Sequence, residues 1–160
     1  LKNTKLQLII AGSGPEEVAL KRLAQKLKLS NVEFMGRVSD VDKVALIKLC
    51  LAVVLPSNLR SEAFGVVLLE GAMYKKPLIS TELGTGTSYV NINGETGLVV
   101  PPADVSLLRG SMLLLNNDKE LANKMGGNAF KRYNKFFTGS VMGDQYAELY
   151  KTLLRRASGD

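Results

Sequence analysis

The sequence has no histidine, no tryptophan and a single cysteine, Cys50, among its 160 residues. One thiol cannot form an internal disulfide, so a reducing, cytoplasmic location is expected. Imidazole and thiolate groups supply most transition-metal ligands in proteins. Because both are scarce here, the sequence predicts no metal site.

Long hydrophobic runs are also missing. The longest apolar runs span about five to seven residues, whereas a membrane-spanning helix needs roughly 20. No signal peptide is recognisable, and the abrupt start at Leu1 suggests a piece of a longer protein. Because 46% of the residues are hydrophobic, residues 1–160 are predicted to fold as one domain with its own core.

Aromatic residues make up only 6% of the chain, while the net charge is +6, from 21 Lys and Arg against 15 Asp and Glu. The positive charge favours anionic partners such as phosphates. However, the basic residues are spread thinly and are not interleaved with aromatic ones, as they are in single-strand binders. We therefore expect no nucleic-acid partner, and most lysines are expected to be solvated surface residues.

Short apolar runs alternate with amphipathic stretches along the chain. This order predicts a Rossmann-like α/β fold, a three-layer sandwich with a parallel sheet and right-handed crossovers. The first helix has a 3.6-residue apolar period at Val18, Leu20, Leu23 and Leu27. Strands are predicted at 6–12, 32–36, 52–56, 77–81 and 96–102. Helices are predicted at 15–29, 39–50, 64–76, 103–117, 118–136 and 138–156.

Ligands of open parallel sheets bind beyond the carboxyl ends of the strands, where three Gly-rich or polar loops are predicted at 12–15, 56–65 and 81–88. The first loop has Gly12 and Gly14 after a strand, and Glu33 follows about 20 residues later, as in a dinucleotide fingerprint. Its third glycine position is Glu17, however, and acids there oppose a pyrophosphate. A tight turn or a general ligand loop is favoured over an NAD(P) site.

The second loop leads into a helix predicted to begin near Gly65. The amides of Gly65, Val66 and Val67 would then be unpaired donors, suited to a phosphate. Glu62 lies just outside this helix, and Glu70 lies one and a half turns inside it. Glu70 is expected to be buried among apolar neighbours, and the sequence offers it no obvious partner, so it suits the hydroxyls of a polyol; it could instead pair with a Lys or Arg. Glu62 could likewise be a solvated acid or a helix cap.

Glu62 and Glu70 form an E-x7-E pair within "SEAFGVVLLEGAMYKKPLI". This stretch resembles the donor-site signature in the carboxyl-terminal domain of retaining GT-B glycosyltransferases of the family 4 type (glycosyl transferases group 1). Other landmarks of that family occur in the same order: "LIIAGSGP", "VEFMGRV", "TGLVVPPAD" and "YAELYKTLL". The resemblance covers essentially the whole chain and implies one half of a GT-B fold.

The resemblance also implies roles for individual residues. Glu62 would be the catalytic residue that positions the donor sugar through its hydroxyls, and Glu70 would bind the ribose hydroxyls. The remaining donor-binding residues would contact the sugar, diphosphate or nucleobase through backbone groups, and they are Phe64, Gly65, Val66, Arg37, Val38 and, as weaker assignments, Gly12 and Gly14.

The implied reaction is hexosyl transfer from a UDP- or GDP-linked sugar to an acceptor hydroxyl with retention, without a cofactor or required metal. The loop "TELGTGTSYVNINGETG" looks like that of bacterial polysaccharide and O-antigen (lipopolysaccharide) mannosyltransferases. The acceptor would then be a glycan or lipid-linked saccharide. The full protein would work in the cytoplasm and is compatible with peripheral association at the cytoplasmic face of the inner membrane.

The chain departs from the family pattern in ways that limit this assignment. In the family, an acceptor-binding amino-terminal domain precedes this one, and an Arg and a Lys that bind the diphosphate lie upstream of the first strand. Residues 1–160 include none of these. We therefore expect residues 1–160 alone to be inactive, and the last helix to expose Tyr146, Leu149 and Leu153. Two alternatives stay open: half of a non-hydrolysing nucleotide-sugar epimerase, or a non-enzymatic Rossmann-like nucleotide-binding module.

Overall fold

The computed structural model describes residues 1–158, with side chains to residue 156. All five strands expected from the sequence are present; β2 has the predicted bounds, and the other four are shorter than predicted by one to three residues. They are β1 (Leu8–Ala11), β2 (Val32–Gly36), β3 (Val53–Leu55), β4 (Leu78–Thr81) and β5 (Gly97–Val100). The prediction of a parallel α/β arrangement is confirmed, because every strand pair is parallel.

Seven helices occur within the described residues, and six of them were expected. They are α1 (Glu17–Lys26), α2 (Asp40–Leu49), α3 (Val66–Met73), α4 (Thr87–Val90), α5 (Val105–Asn117), α6 (Lys119–Phe136) and α7 (Gly139–Ser158). The expected helix at 64–76 is three residues shorter at its end, because Lys75 is left-handed at φ 57°. No helix in this part of the chain is long and apolar enough to cross a membrane.

The strands form two hydrogen-bonded groups. β1 pairs with β2, with Leu8 opposite Val32, and β3, β4 and β5 form a three-stranded sheet in that order. Helices connect successive strands, as parallel pairing requires. All carboxyl ends within each group therefore lie at one edge, which is where the predicted loops occur.

The core lies around the three-stranded sheet. Leu68 of α3 and Leu78 of β4 are fully buried, and they cluster with Ala72 and Ala129. Burying a leucine side chain contributes about 1.5–3 kcal/mol, so this cluster fixes α3 on the sheet. At Gly126, a Cβ would lie only 2.1 Å from the carbonyl oxygen of Lys75, so α6 can approach this closely only with glycine.

The outer elements are much less covered. Residues 1–46 include no buried residue, and the four apolar residues predicted for the first helix face are 40–58% exposed. On α7, Tyr146, Leu149 and Leu153 are 49–54% exposed, as predicted. Two apolar helix faces therefore remain open to solvent in this chain.

Candidate functional site

The residues predicted to form a site follow the carboxyl ends of four strands. Gly12 and Gly14 follow β1, Arg37 and Val38 follow β2, and the loop at 56–65 follows β3. The loop at 82–86 follows β4. Contacts between these segments determine which of the residues lie together.

Gly65 is the residue that shapes the start of α3. It is the N-cap, in a left-handed conformation at φ 79° and ψ 60°. A Cβ there would lie 2.9 Å from side-chain carbons of both Leu55 and Leu68. Glycine is thus required twice, once by the backbone and once by the close packing against β3 and α3.

Glu62 contacts the start of this helix directly. Its Oε1 accepts a hydrogen bond from the Gly65 amide at 3.1 Å, so the helix-cap alternative is what the structure shows. The expectation that the Gly65 amide is unpaired is therefore wrong. Within residues 1–158, the amides of Val66 and Val67 donate no hydrogen bond. Two backbone donors at the positive end of the helix remain available to an anion.

Glu70 lies on the second turn of α3 and is paired within the chain. Its Oε1 accepts a hydrogen bond from Lys43 Nζ at 2.8 Å. The expectation that Glu70 lacks a partner in the sequence is therefore wrong, and the Lys or Arg alternative is correct for the ligand-free chain. The hydrogen bond to Glu70, followed by that to Asp40, raises the pKa of Lys43 above 10.5, so the ammonium stays charged near neutral pH.

Lys43 belongs to the first turn of α2, directly after the loop with Arg37 and Val38. Ser39 caps this helix by accepting from the amide of Asp42 at 3.1 Å. Asp40 and Asp42 have the Asp-x-Asp spacing, but Asp40 pairs with Lys43 at 3.3 Å and Asp42 accepts from the Ser39 hydroxyl at 2.7 Å. Both carboxylates thus stabilise the start of α2.

The two loops after β3 and β4 are joined by hydrogen bonds. The Gly86 amide donates to the carbonyl of Ala63 at 2.8 Å. The Arg60 guanidinium donates to the carbonyl of Gly84 at 3.2 Å. Because a Cβ at Gly86 would lie 2.6 Å from the Phe64 ring, the loops approach each other closely. The loop after β4 is therefore held against Arg60, Ala63 and Phe64 of the loop after β3.

Glu82 fixes the conformation of the loop after β4 through hydrogen bonds. Its Oε1 accepts hydrogen bonds from the Ser88 hydroxyl at 2.7 Å and from the Gly84 amide at 2.9 Å. These two bonds, the Ser88 bond first, lower the pKa of Glu82 below its usual 4.5, because both donors favour the ionised carboxylate.

The ring of Phe64 packs against another aromatic ring. Its ring meets the ring of Phe137 edge-on, with centroids 6.0 Å apart and an interplanar angle of 73°. The side chain of Phe64 therefore packs against the core on one side and against Gly86 of the loop after β4 on another. A cleft of about 250 Å³ lies along the preceding part of the loop and is lined by Ser57, Asn58, Leu59, Ser61 and Glu62.

The first loop joins the turn after β2. The Gly12 amide donates to the carbonyl of Gly36 at 2.7 Å, and both glycines have positive φ, 129° and 62°. Gly14 has no such conformational requirement. Glu17 pairs with Lys21 at 2.7 Å in the first turn of α1, so an acid occupies the helix end where a dinucleotide would place its pyrophosphate.

Lys43, Arg60 and Glu82 were not identified from the sequence. Lys43 and Glu70 are 27 positions apart and on different helices, so no local pattern joins them. Arg60 and Glu82 lie in loops already recognised as ligand loops, and their charge was the available signal.

The sequence is similar to a known protein family and to two bacterial proteins over most of its length. The family model described as "Glycosyl transferases group 1" matches residues 1–132. The chain is 54% identical over 138 residues to the D-rhamnosyltransferase WbpZ of Pseudomonas aeruginosa, covering 86% of this chain and 36% of the relative. It is 46% identical over 157 residues to the O-antigen chain mannosyltransferase C of Escherichia coli, covering 98% of this chain and 42% of the relative.

A solved structure is similar over most of the chain. The sucrose-phosphate synthase of Thermosynechococcus elongatus superimposes with a TM-score of 0.81 at 26% identity, covering 94% of this chain and 39% of that structure. The chain thus spans about two fifths of each of these three proteins.

Proposed function

Since this chain belongs to the glycosyl transferases group 1 family, we propose that it is the donor-binding half of a retaining hexosyltransferase. In this proposal it binds a UDP- or GDP-linked sugar, and the enzyme transfers the sugar to an acceptor hydroxyl. The remaining three fifths of the full protein, judged from its relatives, would supply the acceptor domain.

The observation that carries the proposal is the start of α3. Gly65 adopts a left-handed conformation at the N-cap. The amides of Val66 and Val67 follow it at the helix end and have no acceptor in the described part of the chain. Backbone donors and the helix dipole together favour a phosphate. They also favour the leaving diphosphate, whose negative charge grows as the glycosidic bond breaks.

In this proposal the two glutamates bind different parts of the donor. Glu62 caps Gly65 through Oε1, which leaves Oε2 to accept from sugar hydroxyls at the mouth of the cleft. Glu70 lies on the second turn of α3 and would accept from the ribose. Phe64, Gly65 and Val66 would line the sugar and diphosphate through their backbone, and Arg37 and Val38 would border the base. Gly12 and Gly14 would close the site from the β1 side.

Glu62 is proposed to orient the donor and is not proposed as a nucleophile. A glycosidase-type mechanism needs two carboxylates about 5–9 Å apart on either side of the bond that breaks. In this assignment Glu70 is committed to the ribose, on the far side of the diphosphate. We expect the reaction to require no divalent metal, and titration with a chelator during an assay of the full protein tests that expectation.

The relatives suggest the biological setting. One is a D-rhamnosyltransferase and another is an O-antigen chain mannosyltransferase. We therefore propose a role in bacterial polysaccharide or O-antigen synthesis, with a glycan or lipid-linked acceptor and peripheral association with the cytoplasmic face of the inner membrane. The exposed apolar face of α7 supports contact with the rest of the full protein.

Calorimetric titration of this chain with a panel of ligands tests the proposal. The panel is UDP, GDP, their glucose and mannose conjugates, and NAD. Binding of one nucleoside diphosphate and its sugar conjugate supports the proposal. Binding of NAD alone would favour a dinucleotide site, and binding of none would favour a module without a nucleotide ligand.

A further inference from the structure

Lys43 connects the start of α2 to the second turn of α3. Its ammonium lies 2.8 Å from Glu70 Oε1 and 3.3 Å from Asp40 Oδ1. Its side chain is 37% exposed and that of Glu70 is 27% exposed, so the pair stands at the edge of the site and is reachable by a ligand. The contact crosses between elements, which distinguishes it from the local ion pairs of α1 and α7.

The contact engages only one oxygen of Glu70. Among the described residues, Glu70 Oε1 accepts a hydrogen bond from Lys43 Nζ, and Glu70 Oε2 accepts none. A glutamate side chain has three rotatable bonds, and a bond to a cation on another helix limits its orientation. The free oxygen is thus held in place before any ligand arrives.

We propose that Lys43 is a positioning residue for the ribose of the donor nucleotide. It holds Glu70 Oε1 so that Oε2 faces the ribose hydroxyls. This inference rests on the proposed function, because it presumes a ribonucleotide in the site.

The position of Lys43 gives the contact a second consequence. Ser39, the cap of α2, directly follows Val38, which borders the base in our assignment. Lys43 therefore ties the helix that begins at the base-binding loop to the carboxylate that meets the ribose. A displacement of α2 would move both contacts together.

Two other roles for Lys43 predict different ligand dependence. A lysine that bound the diphosphate directly would matter equally for ribose and dideoxyribose nucleotides. A purely structural ion pair would change the melting temperature and leave the preference between these two ligands unchanged. Only a lysine acting through Glu70 on the hydroxyls loses its effect when the hydroxyls are removed.

The test is calorimetric titration of Lys43→Met, Lys43→Arg and wild type with UDP, GDP and their 2′,3′-dideoxy counterparts, at matched salt. For the ribonucleotide that binds, Lys43→Met should weaken affinity about two- to fivefold, the range of an exposed ion pair. Affinity for the dideoxy form should stay unchanged, and Lys43→Arg should recover most of the loss. Lys124→Met, an exposed lysine on α6, is the matched control and should change neither affinity.

A Glu70→Ala background separates this inference from the proposed function. There, Lys43→Met should have no further effect on ribonucleotide affinity, because the carboxylate that Lys43 positions is gone. An equal loss for ribose and dideoxyribose ligands, or no loss for either, would overturn the role of Lys43 while leaving nucleotide binding established. Failure of the wild type to bind any nucleotide would instead overturn the proposed function, and the Lys43 role with it.

Discussion

The carboxylate of Glu62 accepts a hydrogen bond from the Gly65 amide at 3.1 Å, so the first acid of the E-x7-E pair caps the helix that carries the second. Glu62 therefore has a structural contact in addition to its proposed contact with the sugar. A simple truncation of Glu62 would disturb both, and variants must be chosen to separate them.

Glu62→Gln keeps an oxygen for the Gly65 amide but removes the negative charge that binds sugar hydroxyls strongly. We expect it to leave nucleoside-diphosphate affinity almost unchanged and to erase the extra affinity that the sugar confers. Glu62→Ala should also lose the cap, at a cost of about 0.5–2 kcal/mol of stability. Titration of both variants with the diphosphate and its sugar conjugate, together with melting curves, checks this. An equal loss for the two ligands in Glu62→Gln would remove the sugar assignment.

Gly65→Ala should destabilise the chain by about 2–5 kcal/mol, the sum of a left-handed backbone penalty and overpacking against Leu55 and Leu68. Gly127→Ala is a control of opposite sign. It lies inside α6 with nothing within 4 Å of its Cβ, so it should stabilise the helix by about 0.8–1 kcal/mol. Urea unfolding measures both changes. A neutral Gly65→Ala would show that this position does not constrain the start of α3.

The loop after β4 should respond to acid. The pKa of Glu82 is lower in the folded chain than its usual 4.5, so its contribution to stability is present above pH 4.5 and is lost as the pH falls through the folded value. Ser88→Ala removes the main cause and should raise the pKa of Glu82 towards 4.5. Carboxyl NMR titration measures this shift. An unchanged pKa would mean that the Ser88 hydroxyl does not hold the loop.

The sequence was informative where a local pattern sets the structure. The start of α3 was predicted because Gly65 precedes an apolar run, and helix α1 was predicted from the 3.6-residue period of its apolar residues, although these remain exposed. α4, at Thr87–Val90, was missed because four residues contain no full period. The Lys43–Glu70 pair was missed because only tertiary packing brings α2 beside α3. The separation of the strands into two groups also depends on packing that no local pattern records.

Nucleoside-diphosphate affinity of Glu70→Ala is the most direct test of the central claim, which is that this chain binds a nucleotide through the residues around α3. Loss of hydrogen bonds to a charged group costs about 1.5–3 kcal/mol, which corresponds to roughly a 10- to 150-fold weaker affinity. We predict a loss of that size for UDP or GDP, whichever the wild type binds, in a variant whose melting curve shows that it is folded. Wild-type affinity in a folded Glu70→Ala variant would contradict the account.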